Sequence, residues 1–117
     1  MPAPLSLNHL NLPAADPEAL SRWYCQTLGF EARGRFLWSG GSLLVFTPGS
    51  PLREEKMHLG FRVASLEELR ARVDAMRAHG FDPGEVEGDE TYSTVFFHDP
   101  EGNRIELFYE PDPLASI

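Results

Sequence analysis

Apolar and polar residues first alternate and then recur at helical spacing, and this succession of periods runs along the chain twice. Residues 5–12 read as a strand. Asp16-Pro17-Glu18 then offers an N-cap, a proline suited to the first helical position and an acid in the first turn, which predicts a helix start. Leu20, Trp23, Tyr24, Thr27 and Leu28 follow at helical spacing, and Gly29 supplies the left-handed residue that ends such a helix. Residues 30–38 and 42–47 read as strands around Gly40-Gly41. The second half repeats the plan. Residues 58–63 predict a strand, Ser65-Leu66-Glu67-Glu68 a capping box, Leu66, Leu69, Val73 and Met76 an apolar stripe, and Gly80 a stop. Residues 94–98 and 104–110 then bracket Asp99-Pro100-Glu101-Gly102-Asn103, a hairpin turn with proline and glycine where φ must be fixed or permissive.

The repetition extends to residue identity. At an offset of 49, His9-Leu10-Asn11-Leu12 aligns with His58-Leu59-Gly60-Phe61, followed by Ala15 with Ala64, Glu18 with Glu67 and Leu20 with Leu69. At an offset of 51, Leu28-Gly29-Phe30 aligns with His79-Gly80-Phe81, so the second copy gains two residues in its helical region. Each half reads β-α-β-β-β. Such a unit leaves one sheet face uncovered, which two units can bury together. The expected fold is therefore α+β: one domain over residues 1–117, with module one at 5–48 and module two at 56–110, forming a curved mixed sheet around a central cleft. Pro48-Gly49-Ser50-Pro51 connects the halves, and Pro111-Asp112-Pro113 closes the fold before a short tail.

Composition narrows the partners. A formal charge of −8, with no Lys/Arg stripe, argues against nucleic acid. The acidic run from Glu85 to Glu90 reads as a solvated loop, and a pocket beside it would favour neutral or cationic ligands. No long apolar run and no basic-then-apolar start is present, which predicts a soluble, cytoplasmic protein that does not enter a membrane. The single cysteine, Cys25, fits a reducing compartment and a small helical side chain.

Strand alternation then assigns faces. His9 falls with Leu7 and Asn11, His58 with Gly60 and Arg62, and Glu106 with Arg104 and Phe108. His9 and His58 occupy the same place in the two copies, so a pseudo-two-fold relation carries one onto the other. Glu106, between Ile105 and Leu107, needs a partner for its charge, and Arg104 is the plain choice. Two imidazoles and a carboxylate alternatively make a three-ligand site with open positions for Fe, Mn, Zn or Ni. His79 reads as a surface residue near a helix C-terminus and His98 as an edge-strand residue.

At these residues the chain resembles the vicinal oxygen chelate superfamily, which holds glyoxalase I, extradiol dioxygenases, fosfomycin-resistance thiol transferases and bleomycin-resistance proteins. The resemblance spans nearly the whole chain. It rests on Leu7-Asn8-His9-Leu10, on Trp23-Tyr24 with Leu28-Gly29-Phe30, and on His58-Leu59-Gly60-Phe61. Its most specific part is Phe97-His98-Asp99-Pro100-Glu101-Gly102-Asn103-Arg104-Ile105-Glu106-Leu107. It implies that His9, His58 and Glu106 bind a divalent metal, that the substrate chelates this ion through adjacent oxygens, and that the chain works as a homodimer. Departures from single branches also carry information. Where glyoxalase I places a fourth ligand, this chain has an apolar residue, whether Leu44 or Val45 is the equivalent. Leu44 and Phe96 lie near the places of an additional histidine and a tyrosine in extradiol dioxygenases, and no Lys or Arg follows Glu106 as in phosphonate-binding transferases.

The sequence thus predicts a small divalent-metal-dependent enzyme of the glyoxalase or dioxygenase type, a lyase, thiol transferase or dioxygenase, acting on a small molecule. Its pocket walls are expected from Phe36, Trp38, Phe46, Tyr92, Phe96 and Phe108, with Tyr92 or Asn11 as hydrogen-bond donor. The alternative is a metal-free protein that sequesters a cationic ligand, as bleomycin-resistance proteins do.

Overall fold

In the computed structural model, residues 3–111 are described, and the closing segment 112–117 lies outside them. The chain divides into two compact units, residues 1–51 and 52–117. Each carries one helix and a four-stranded mixed sheet, so two tandem β-α-β-β-β modules build two separate sheets that are not closed.

In the first unit β1 (His9–Ala14) leads to α1 (Pro17–Leu28), β2 (Glu31–Arg33), β3 (Phe36–Ser39) and β4 (Ser42–Pro48). The sheet order is β1-β4-β3-β2, with β1 parallel to β4 and the rest antiparallel. Helix α1 begins as the sequence dictates: the Asp16 side chain accepts from the Ala19 N–H, and Pro17 opens the first turn. It ends at Gly29, whose φ of 74° lets its N–H reach the Tyr24 carbonyl. Leu20, Tyr24 and Leu28 on α1 are buried with Leu12, Leu37, Leu44 and Phe46 of the sheet. The Tyr24 ring meets Phe30 edge-on and lies against Phe46.

Two strand expectations change here. Pairing of β1 begins with His9 opposite Leu43, because β4 starts only at Ser42 and residues 5–8 have no ladder to join among the described residues. Leu5 and Leu7 are accordingly exposed, and Leu7 is not a strand neighbour of His9. The stretch 30–38 is two strands, because Gly34, at φ 58°, opens a two-residue turn that sets Arg33 opposite Phe36.

In the second unit β5 (His58–Arg62) leads to α2 (Leu66–Ala78), β6 (Glu87–Gly88), β7 (Ser93–His98) and β8 (Arg104–Tyr109), in the sheet order β5-β8-β7-β6. Ser65 caps α2 by accepting from the Glu68 N–H, and the Glu68 carboxylate reaches back to the Ala64 N–H. Leu69, Val73 and Met76 are buried with Val95, Phe97, Ile105 and Leu107. The acidic run is not entirely loop, since Glu87 and Gly88 pair with Thr94 and Ser93. The β7–β8 turn closes on Asp99, which is 4% exposed. Its carboxylate accepts from the Glu101 and Asn103 N–H groups and from the Asn103 side-chain amide at 2.8–3.0 Å. That turn fixes the register of β8, with Glu106 opposite Phe96 on one side and Gly60 on the other.

Candidate metal centre

Alternation divides β8 between two purposes. Ile105 and Leu107 enter the core, whereas Arg104, Glu106 and Phe108 share the other face with His58, Gly60 and Arg62 of β5 and with Thr94, Phe96 and His98 of β7.

On this face Glu106 is 6% exposed, yet its carboxylate is well supplied. Oε2 accepts from the Thr94 hydroxyl at 2.6 Å and also from the Tyr92 hydroxyl. Oε1 lies 3.3 Å from His58 Nε2. The expected partner Arg104 turns elsewhere, its guanidinium carbon 4.1 Å from the centre of the Phe96 ring. Tyr92 is held by its own loop: Asp89 accepts from the N–H groups of Thr91 and Tyr92, and the Tyr92 ring stacks on Phe108. Burial, the hydrogen bond to Glu106 and the charge of Glu106 together raise the Tyr92 pKa above its ordinary 10.0, so the phenol keeps its proton and donates.

The pair suits a metal chemically. Two hydroxyl donors tie one carboxylate oxygen and thereby orient the other, which is how ligand carboxylates are commonly presented. Donors about 2.1 Å from an ion stand about 3.0 Å apart at right angles and about 3.4 Å apart at the tetrahedral angle. The observed 3.3 Å lies in that interval. A Cβ added at Gly60 would stand 3.8 Å from Glu106 Oε1 and 3.4 Å from Phe108, so glycine keeps space open beside that oxygen. The His58 side chain is 37% exposed, which leaves its ring reachable from solvent.

The first unit repeats part of this design. His9 opens β1 and is exposed, and its Nδ1 pairs with Asn8 Oδ1 at 3.0 Å. With the proton on Nδ1, that bond leaves the Nε2 lone pair outward, the state in which imidazole ligates. His9 meets Phe36 edge-on, as His58 meets Phe96. Asn11 shares the His9 face, and its side-chain oxygen accepts from Thr47 at 3.0 Å. Register identifies the counterpart of Glu106 as Val45, since each stands two residues beyond the partner of its histidine. Val45 is 5% exposed and apolar.

Of the expected residues, the structure therefore brings together His58, Glu106 and Tyr92, and it places His9 and Asn11 on the corresponding face of the other unit. Among the described residues no group of three or more His, Cys, Asp or Glu side chains stands arranged to hold a metal. Phe46 is not a pocket wall, because it packs on Tyr24 in the core. Phe36 and Trp38 lie on the His9 face, and Phe96 and Phe108 on the Glu106 face. His79 caps α2, as its place near the helix end suggests. Sequence reasoning passed over Thr94. The signal was present, because a hairpin register pairing Phe96 with Glu106 sets residue 94 diagonal to the carboxylate.

Two units of this topology, each with a histidine opening its first strand and one with a carboxylate in its last, define a glyoxalase-type fold. Residues 6–107 match the family model of the Glyoxalase/Bleomycin resistance protein/Dioxygenase superfamily, and the chain belongs to that superfamily. Among solved structures, the fosfomycin resistance protein FosX from Listeria monocytogenes superposes with a TM-score of 0.75 at 19% identity, over 93% of this chain and 94% of that one. A lactoylglutathione lyase from Agrobacterium tumefaciens gives 0.71 at 17% identity, over 91% and 94% of the two chains. The oxidase ChaP-H1 gives 0.66 at 22%, over 92% and 98%. A search of curated proteins gives no match. No helix among the described residues is long and apolar enough to cross a membrane.

Proposed function

We propose that the chain is a small divalent-metal-dependent enzyme whose ion is held by His9, His58 and Glu106, and whose substrate is a small molecule that chelates through adjacent oxygens. The observation that carries this reading is the presentation of Glu106: Thr94 and Tyr92 occupy Oε2, while Oε1 faces the His58 imidazole at 3.3 Å, with Gly60 leaving room beside it. A bound divalent ion supplies a Lewis acid that polarises a substrate oxygen and stabilises developing oxyanion charge.

The side chains contribute binding and orientation. Glu106 offsets positive charge, and Thr94 keeps it from rotating. Tyr92, held in its protonated form, donates to Glu106 and so strengthens the orientation rather than acting as a base. Phe96 and Phe108 give an apolar surface for the carbon skeleton of the substrate. With Val45 where a second carboxylate would stand, the first unit supplies no base there, which favours reactions in which the substrate's own acidity or a second reactant does the proton work. The protein acts in the cytoplasm as a homodimer, and exposed Leu5 and Leu7 beside edge strand β1 offer apolar contact area for association.

Metal analysis of protein purified without a histidine tag tests this directly. About one ion per chain, lost in His58→Ala, supports the enzyme. A metal-free protein that binds glycopeptide-like cations supports the sequestering module instead, a reading favoured by the charge of −8.

A further inference from the structure

The sheet face that carries Glu106 is graded in charge. Cross-strand register sets His58, Arg104 and His98 in one row at the end where β8 begins. The next row holds Gly60, Glu106 and Phe96, and the row after it Arg62, Phe108, Thr94 and Glu87. The acidic segment around Glu87 and Asp89 thus lies toward the far end from Arg104. Its repulsion of anions is weakest at the end where the Arg104 guanidinium stands.

Arg104 differs from the other arginines of this unit whose contacts are defined. Arg62 donates to the Glu110 carbonyl at 2.7 Å, Arg72 pairs with Glu68, and Arg77 is engaged by Asp82 and Glu85. The Arg104 guanidinium carbon instead sits over one ring, 4.1 Å from its centroid, and the guanidinium meets no carboxylate among the described residues. That same ring, Phe96, touches the His58 imidazole edge-on at 5.3 Å. One aromatic side chain therefore holds a metal-ligand candidate and an unspent cation side by side. A guanidinium held over an aromatic ring by cation–π attraction spends none of its N–H groups on a carboxylate, and its fork matches a planar bidentate acceptor. Arg53 adds a second cation near this end, its stem lying over Gly102 of the β7–β8 turn.

From this juxtaposition we propose that Arg104 is a carboxylate subsite. The substrate class is then a small oxygen-chelating molecule that carries a further carboxylate, seated on Arg104 while its chelating oxygens face His58 and Glu106. This rests on the metal reading above and narrows it. It also turns the expectation drawn from the acidic run, neutral or cationic ligands, toward an anionic one.

Lactate and malate share a 2-hydroxycarboxylate chelating pair and differ by a pendant carboxylate. Co2+ binding is measured first by calorimetry on wild type, Arg104→Gln and Arg104→Lys, and each loaded protein is then titrated with both acids. The expected result is Co2+ affinity within threefold across the three proteins, and malate bound about tenfold to a hundredfold tighter than lactate by wild type. That preference falls to about twofold in R104Q and stays intermediate in R104K. A wild type without preference, or a folded R104Q that retains it, overturns the proposal. If Co2+ does not bind wild type, the metal reading fails by itself, and succinate titrated into the metal-free proteins decides the subsite. Succinate binding lost in R104Q supports it, and equal or absent binding in both overturns it.

Discussion

Val45 and Glu106 occupy one position in two units, each two residues beyond the partner of its histidine, and one is an apolar core-like side chain while the other is a buried carboxylate. The duplication is thus symmetric in its histidines and asymmetric in its acid. At this position only the second unit offers an anionic donor, and what that donor can hold depends on how well it is aimed.

Aim is the work of Thr94. Replacing it by valine removes the 2.6 Å hydrogen bond to Oε2 and leaves the shape nearly unchanged. Metal affinity is expected to fall by about tenfold to a hundredfold, as for other groups that orient a ligand. The metal-free protein loses about 1.5 kcal/mol of stability in urea. Thr94→Ser restores both quantities. Calorimetric metal titration beside chemical unfolding separates the two effects.

Tyr92 gives a prediction in alkali. Its folded pKa lies above its ordinary 10.0, so between that pH and its folded value the unfolded chain has lost a proton that the folded chain retains. The unfolded state then binds fewer protons, and stability falls as pH rises through that window. Below pH 10 the contribution is complete. The stability difference between wild type and Tyr92→Phe should therefore be constant from pH 7 to about 9.5 and shrink at higher pH. Urea midpoints measured across this range check it, and a constant difference throughout would contradict the Tyr92 assignment.

Gly60 separates the site from the fold. Its backbone is not in the left-handed region, and a Cβ there would stand 3.4 Å from Phe108 and 3.8 Å from Glu106 Oε1. Gly60→Ala should fold with stability within about 1 kcal/mol of wild type. Gly60→Val fills more of the space beside Oε1. Metal affinity should decline in the order glycine, alanine, valine while far-ultraviolet circular dichroism stays the same.

The turn at Asp99 is structural. Its carboxylate satisfies three N–H donors in a nearly buried setting, so Asp99→Ala strands those donors and should cost about 2–4 kcal/mol. Asp99→Asn retains one acceptor oxygen and should cost less. Because the turn sets the register of β8, metal affinity in D99A should fall together with thermal stability.

Much of this was legible in the chain itself. Asp16, Pro17, Ser65, Gly29 and Gly80 delimit the helices because capping is local chemistry readable over a few residues. The alternation Ile105, Glu106, Leu107 already placed the carboxylate opposite the core. What escaped was set by tertiary pairing. Residues 5–8 have strand-like alternation and no partner strand among the described residues, and Arg33 to Phe36 turns on a glycine that looks incidental in sequence. Arg104 was the obvious partner of Glu106 by face, but Phe96 competes for its guanidinium, and two hydroxyls reach the acid from β7 and the loop before it.

The placement of Glu106 between Ile105 and Leu107 also bears on how β8 finds its place. A slip of one residue against β5 and β7 would turn the carboxylate toward α2 and push two core side chains outward, at a cost far beyond that of mismatched backbone pairs. The side chain at the centre of the site is therefore also a marker of correct strand alignment. The alternation that aims this carboxylate away from the core thus safeguards the fidelity of folding in the same stroke.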